Sequence, residues 1–546
     1  MEGRGKRVQD EGSGWRVEER VFRIQGRRWR VERRRIEGRG YRIPDTGQRM
    51  ESRAKGIHDT GYRAEDGGWR VGGAEYRIQG RGWKVGGRGY RIQGRGWRAE
   101  GNEYRVPDTS VILECVSTHS IPKDNKLLLF LMDGFRWDYF DRQEIDLPGF
   151  RRMMREGARA EYLIPDFPSL SYPNYYSIMT GLHCEDHGMV GNYMFDTKHN
   201  ESFLIGVNKA QYNSYWWDDG EPLWVTAEKQ GKRSYFYSWP GCEVTIRGVD
   251  PTYCKKYPTF TYPKLEDMQE AIKEGLQLFS NDSADVVGIY VELPDKYGHK
   301  YGPSSTQLNQ KLMEIDNEMG KLLDELESHD LRDKVNIMIF SDHGMTEVNE
   351  TRVINITDYV EVEDIRVVLD AGANVYIWPN EGKLNKVYAD LVAMDNPHLT
   401  VLKKADIPDR WFYRNHYRTS PILLVAKNGW YITTPLLPRF HTYYGSGPMQ
   451  GTHGFDNNEI DMRGIFLASG PDISRNVVVK GFANIHIYQM MCDVLGIEPN
   501  ENDGQWKDVA GVLTHTYDDV SSAILNVTNL ALLILTTLIS LVRESL

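Results

Sequence analysis

The run Leu127-Leu-Leu-Phe-Leu-Met132, followed at once by Asp133-Gly134, decides the fold. Six apolar residues without a polar break read as a strand buried on both faces, and the aspartate marks where that strand leaves its sheet. Val286–Val291 and Val335–Phe340 repeat the pattern, and a helical periodicity over Thr306–Glu327 lies between them. Phe150–Glu156 also reads as helix. Strand, helix and strand with unbroken apolar strands predict an α/β fold, a mostly parallel sheet with helices on both faces. In such sheets ligands sit outside the carboxyl ends of the strands. Asp133, Asp295 and Asp342 each fall just after one of the apolar runs, so three carboxylates from distant sequence are expected at one rim.

The loops carry the chemistry. In Pro168-Ser-Leu-Ser171-Tyr-Pro173 the chain turns into a helix near Pro173, a residue suited to a first helical turn. Ser171 then stands at a helix N-terminus, where backbone N–H groups favour phosphate oxygens and an ionising hydroxyl. A serine in such a place is by itself most often only a cap. Its company argues otherwise, because Asp295-Lys-Tyr-Gly-His299, Asp342-His343-Gly344 and Gly451-Thr-His453-Gly454 offer carboxylates and imidazoles from glycine-bearing loops. Oxygen and nitrogen donors of that kind suit zinc.

These segments resemble the ecto-nucleotide pyrophosphatase/phosphodiesterase family of the alkaline phosphatase superfamily. The resemblance runs from about Lys126 to Pro499 and is carried by LFLMDGFRWDY from Leu129, PDFPSLSYPNYYSIMTGLHCEDHGMVGN from Pro165, the Asp295/His299 pair, IFSDHGM from Ile339 and GTHGFDN from Gly451. It implies an alkaline-phosphatase-like fold and two zinc ions. One would be held by Asp295, His299 and His453, the other by Asp133, Ser171, Asp342 and His343, with Asn192 on a phosphoryl oxygen. Ser171 would be the nucleophile and a phosphoserine the intermediate. Two closely spaced cations can neutralise both apical oxygens of an in-line displacement.

Many family members carry Thr where Ser171 stands. This serine, with SLSYPNYY, WWDDGEPLW and YSWPGCE around it, resembles the choline-specific glycerophosphodiester phosphodiesterases of the family. The implied substrates are glycerophosphocholine and lysophosphatidylcholine, with phosphocholine released. A quaternary ammonium needs aromatic faces and negative charge, and the candidates are Tyr290, Trp239, Tyr253 and Glu243. The resemblance further implies a Cys242–Cys254 disulfide, Cys492 as an interchain bridge in a homodimer, and an unpaired Cys184. A nucleotide pyrophosphatase of the same family is the rival enzyme, and a binding protein that keeps the fold without turnover is the rival class.

The remaining features bear on organisation. The formal charge of −10 divides into +12 over residues 1–105 and −22 over the rest. So acidic a remainder disfavours nucleic acid as a partner. Residues 1–122 read as a low-complexity Arg/Gly/aromatic repeat segment, expected to be disordered. An aromatic residue recurs every seven positions at Tyr62, Trp69, Tyr76, Trp83, Tyr90, Trp97 and Tyr104, among glycines and arginines that cannot form a coiled-coil seam. Arginine interleaved with aromatics could also bind RNA. Residues 123–510 are expected to hold the catalytic domain. No export signal of ordinary form opens the sequence, and Ser110–Val116 is a short apolar stretch broken by Glu114.

Five cysteines are too few for a disulfide scaffold and an odd number, while the sequons at Asn200, Asn281, Asn349, Asn355 and Asn526 are compatible with secretion. Within the tail at 511–546, the 13 residues Leu530–Val542 are almost wholly apolar, too few to span a bilayer. Following small residues and a spacer, they read as a lipid-anchor signal, or else as a buried helix. The expected location is the outer face of the plasma membrane or the extracellular space.

Overall fold

The computed structural model describes residues 125–514 apart from 207, 259–260 and 434–448, together with the backbone of short strands between Arg4 and Tyr104. Two compact units result: Met1–Ser120 with Ile524–Leu546, and Ile121–Ala523. In the first, Arg4–Gln9, Trp15–Ile24 and Arg27–Ile36 pair as an antiparallel sheet. The expectations for the side chains of the repeat and for the Leu530–Val542 tail lie outside the described residues. Among the described residues no helix is long and apolar enough to cross a membrane.

The second unit is built on an eight-stranded sheet. In chain order its strands are β1 (Lys126–Met132), β2 (Ala158–Ala160), β3 (Ser234–Tyr237), β4 (Tyr253–Lys255), β5 (Val286–Val291), β6 (Val335–Phe340), β7 (Phe466–Ser469) and β8 (Val477–Val479). Their spatial order is β4-β3-β5-β1-β6-β7-β2-β8. Every neighbouring pair is parallel except the two made by β7.

All residues of β1, β5 and β6 are buried. The alternation of a strand divides β1 between two cores: Leu127, Leu129 and Leu131 face one, and Leu128, Phe130 and Met132 the other. Each such side chain is worth roughly 1.5–3 kcal/mol of burial. Facing the second core is the helix Thr306–Ser328, one residue longer than the periodicity predicts. It also holds the helix Pro148–Glu156, because the Asp316 carboxylate accepts from the N–H groups of Gly149 and Phe150 at 3.1 and 2.7 Å. Those donors have no partner inside their own first turn.

A smaller antiparallel sheet, in the order Ile365–Leu369, Asn374–Pro379, Ile422–Ala426, Leu399–Lys403, has its own core around Val375, Ile377 and Leu424.

Register positions the site. Val291 pairs with Met132, and Phe340 with Leu131, so three adjacent parallel strands end at nearly one level. Asp133, the segment opening at Glu292, and Ser341-Asp342-His343 therefore leave the sheet side by side.

Candidate active site

Ser171 opens the helix Ser171–Thr180; the preceding Leu170 is extended, and Pro173 lies within the first turn. The serine is half-buried, and its Oγ lies 3.2 Å from His343 Nε2. Asp295 and His299 share one face of the helix Leu293–Tyr301 four residues apart, with His299 Nε2 3.3 Å from Asp295 Oδ1. His453 follows the short strand Gly451–Thr452, which pairs with Thr346–Glu347 just beyond His343. Its Nε2 lies 3.1 Å from His299 Nε2 and 3.5 Å from Asp295 Oδ1. On the other side, His343 Nε2 is 3.0 Å from Asp342 Oδ2 and 3.4 Å from Asp133 Oδ1.

The seven expected ligand residues are thus gathered in one place. Asp295, His343 and His453 form one group, and Asp133, Asp342 and His343 another, with ligand atoms inside each group within 4.8 Å of one another.

Gly134 makes this closeness possible. Its φ is +66°, and a Cβ there would sit 2.7 Å from the Asp295 Cα. Its N–H donates to Asp342 Oδ1 at 3.1 Å, tying the ends of β1 and β6 together.

Three imidazoles are oriented alike. The Nδ1 atoms of His299, His343 and His453 face the carbonyls of Gly451, Gly344 and Ser169 at 2.9, 2.8 and 3.0 Å. A carbonyl accepts only from N–H, so each Nδ1 carries a proton and each Nε2 is the ring atom turned inward, the orientation of a metal-ligating histidine. Asp133 Oδ1 and Asp342 Oδ2 are buried and accept no hydrogen bond. Buried carboxylate oxygens facing basic nitrogens are what divalent cations satisfy, and the donor set fits such ions.

The electrostatics agree. Burial, together with the Asp342 and Asp295 carboxylates, pushes Asp133 well above the usual carboxylate range, against the hydroxyls of Tyr175 and Tyr290. Burial acts on Asp295 in the same sense, but His299, His453 and His343 outweigh it and hold that group low. Burial lowers His343, yet Asp342 prevails and raises it, whereas burial and the His343 ring depress His453 strongly.

The residues expected to recognise substrate fare unevenly. Asn192 Oδ1 accepts from the Tyr172 N–H at 2.9 Å, which turns its amide nitrogen into the group able to donate to an anion. Tyr290 does not offer an open ring face. It is buried, and its hydroxyl, like that of Tyr175, donates to Asp133 Oδ2. Glu243 lies near Tyr172, whose phenol is pushed up by burial and by the carboxylates of Glu243 and Glu292 and the Tyr212 phenol.

Trp239 lies in the core. It is fully buried against Phe236 and Phe340, because an indole at the end of β3 serves the core before any ligand. Tyr253 is exposed on the edge strand β4 beside Tyr235 and Tyr237, and Tyr237 belongs to the core opposite that of Tyr290.

Cys242 and Cys254 are bonded, with Cα atoms 5.7 Å apart. Cys492 lies in the core as well. It is wholly buried within the helix Ile487–Leu495 and cannot reach a second copy unless that helix unpacks. Cys184 is free and buried.

Sequence reasoning missed Tyr175, Glu292 and Tyr257. Tyr175 sits one helical turn after Ser171, and that spacing was the available signal. Glu292 is the first residue beyond β5. Burial pushes it up to about 8 against the hydrogen bond from the Tyr257 hydroxyl.

A parallel α/β sheet whose rim gathers buried aspartates and histidines around a helix-terminal serine defines a hydrolase of the alkaline-phosphatase-like class. Residues 127–456 match the family "Type I phosphodiesterase / nucleotide pyrophosphatase". The chain is 33% identical over 406 residues to ectonucleotide pyrophosphatase/phosphodiesterase family member 7 of Mus musculus, covering 72% of this chain and 89% of that protein. It is 34% identical over 416 residues to a bis(5'-adenosyl)-triphosphatase of Xenopus laevis, covering 76% and 87%. The solved structure of human ectonucleotide pyrophosphatase/phosphodiesterase 5 superposes with a TM-score of 0.66 at 32% identity, covering 71% of this chain and all of that one. An inactive form of the murine counterpart in complex with AMP gives 0.65 at 32%, with the same coverage. The chain belongs to the type I phosphodiesterase/nucleotide pyrophosphatase family and is a phosphodiesterase by descent and fold.

Proposed function

We propose that Ser171 is the nucleophile of a zinc-dependent phosphodiester hydrolase. Asp133, Asp342 and His343 would hold one zinc beside Ser171, and Asp295, His299 and His453 the other. Bound there, the ions would lower the pKa of a coordinated hydroxyl and neutralise charge developing on the apical oxygens. The protein's own part is positional. Ser171 Oγ, aimed by the first turn of its helix, attacks phosphorus as the bond to the leaving oxygen breaks, giving a phosphoserine that water then hydrolyses. The Asn192 amide nitrogen holds a non-bridging oxygen. The observation that carries the reading is the convergence on Ser171 of inward-facing Nε2 atoms and buried carboxylate oxygens with no hydrogen bond.

The relatives weigh toward nucleotide pyrophosphates and phosphodiesters as substrates, since one is named a bis(5'-adenosyl)-triphosphatase and a related structure holds AMP. A second reading, choline phosphodiesters, draws support from the side chains around Tyr172. The Tyr172 ring packs with Tyr175, Phe203 and Trp217, and its phenol is pushed up by burial and then by the Glu243 carboxyl, so aromatic faces and an acidic group lie in the region a quaternary ammonium would need. Turnover of bis(5'-adenosyl) triphosphate and of glycerophosphocholine by one zinc-loaded preparation separates the two. A kcat/KM ratio above ~10 in either direction decides, and no turnover of either defeats both.

The Cys242–Cys254 bond and the ecto-enzyme relatives support an extracellular site of action. The Leu530–Val542 tail supports attachment to the outer membrane surface through a lipid, and release of the protein by a phosphatidylinositol-specific phospholipase tests it. Any dimer would have to form without the Cys492 thiol.

A further inference from the structure

We propose that Asn349 and Asn355 carry N-linked glycans, and that these sugars cover an open sheet edge beside the strand leading to His453. Both asparagines are exposed, in Asn349-Glu-Thr351 and Asn355-Ile-Thr357. Their carboxamides are held in the same way. Asn349 Oδ1 accepts from the Thr351 N–H at 3.0 Å and from the Thr351 hydroxyl at 2.6 Å. Asn355 Oδ1 accepts from the Thr357 N–H at 3.1 Å and from its hydroxyl at 2.8 Å. With the oxygen turned in upon the backbone, the amide nitrogen faces water, and that nitrogen is the atom to which a glycan is joined. Asn200 is held differently, its Oδ1 accepting from Arg366 at 2.7 Å, and Asn281 ends the helix Leu265–Ser280.

A second observation concerns what the sugars would cover. Among the described residues, Val353–Asn355 pairs on one side only, with Tyr431–Thr433. Val353, between the two asparagines, is 40% exposed, and Tyr359 and Val362 just beyond are 46% and 48% exposed. An unpaired strand edge bearing exposed apolar residues invites association with other chains, and a bulky hydrated group on it blocks that pairing. The segment adjoins the site without entering it. Thr346–Glu347 pairs with Gly451–Thr452, and the Val348 N–H donates to the Gln450 carbonyl at 3.1 Å.

In the reaction the carboxamide nitrogen loses a proton and bonds to the first sugar carbon of a lipid-pyrophosphate-linked oligosaccharide. The bond from that carbon to the pyrophosphate oxygen breaks, and the lipid pyrophosphate leaves. The Cys242–Cys254 disulfide belongs to the compartment that supplies this co-reactant.

The test uses the full chain directed into the secretory pathway of an animal cell line by an added signal peptide. Peptide-N-glycosidase digestion in ¹⁸O-labelled water converts each glycosylated asparagine to labelled aspartate, read by peptide mass spectrometry. Label is expected at positions 349 and 355, and its absence at either overturns the assignment there. Thr351→Ala and Thr357→Ala should each remove one glycan and leave kcat within twofold. The double variant should form concentration-dependent oligomers in light scattering. A double variant as monodisperse as the parent overturns the role in covering the edge.

Discussion

Replacing Tyr290 by phenylalanine separates two roles that one side chain could play. The ring stands 5.6 Å from Tyr175 and 6.1 Å from Tyr257, and its hydroxyl donates to Asp133 Oδ2. Phenylalanine keeps the aromatic face and removes only the donor. A hydrogen bond to a charged group is worth about 1.5–3 kcal/mol, and losing an outer partner of a metal-ligating carboxylate costs about 10–100-fold in metal affinity. Tyr175 still donates to the same oxygen, so the single variant belongs near the lower figure and the Tyr175→Phe/Tyr290→Phe double variant near the upper. The assay strips the enzyme with a chelator, titrates zinc back, and follows turnover of a chromogenic phosphodiester. Half-saturating zinc should rise roughly tenfold and then on the order of a hundredfold, with kcat at saturating zinc nearly restored. Unchanged half-saturation with a raised KM would refute the argument and return Tyr290 to the substrate wall.

Other consequences follow from the same geometry. Ser171→Ala should lower turnover by on the order of 10³ or more, as loss of a nucleophile does, while urea unfolding shifts by less than about 1 kcal/mol, because the hydroxyl's one described bond is to His343. Zinc binding must displace the proton that Asp342 helps His343 to retain above the ordinary histidine range. Half-saturating zinc should therefore climb as pH falls from 8 to 6, with excess zinc restoring activity; equal values at both pH values would show that no such proton is displaced. Cys242→Ser should cost about 3 kcal/mol in urea unfolding, since the bond closes a loop of 12 residues.

What could be read from the sequence follows from which constraints are local. Leu127–Met132, Val286–Val291 and Val335–Phe340 were legible almost to the residue because a parallel strand covered on both faces is nearly all apolar; the polar Asn336 among them is buried and bonded to Asp472. The carboxylates stood out because each closes such a run. The placement of Trp239, Tyr253 and Cys492 was not legible, for the opposite reason. An indole, a phenol or a thiol serves a core or an edge as readily as a ligand, and the choice depends on which face of β3, β4 or the helix Ile487–Leu495 it occupies. Sequence spacing leaves that choice open. Tyr175 and the carbonyls of Ser169 and Gly451 were invisible for a related reason, since orienting a ligand requires only a hydroxyl or a backbone oxygen in the right place.

The electrostatics also bear on whether this is an enzyme or a retained scaffold. Asp133, Asp295 and Asp342 are all at most 3% exposed. Three carboxylates so confined repel one another, and without cations the strain appears as the raised Asp133 and the proton-retaining His343. A binding protein could relieve it by exchanging one aspartate for asparagine. Here all three remain, with their histidines held in the metal-binding orientation and a hydroxyl 3.2 Å from the histidine between them. Divalent cations bound there would offset the repulsion among these carboxylates. Differential scanning calorimetry should therefore show a large rise in melting temperature on adding zinc to stripped protein, in the Ser171→Ala variant as much as in the parent. A melting temperature indifferent to zinc in both proteins would leave the buried carboxylates uncompensated and remove the basis for metal-assisted hydrolysis.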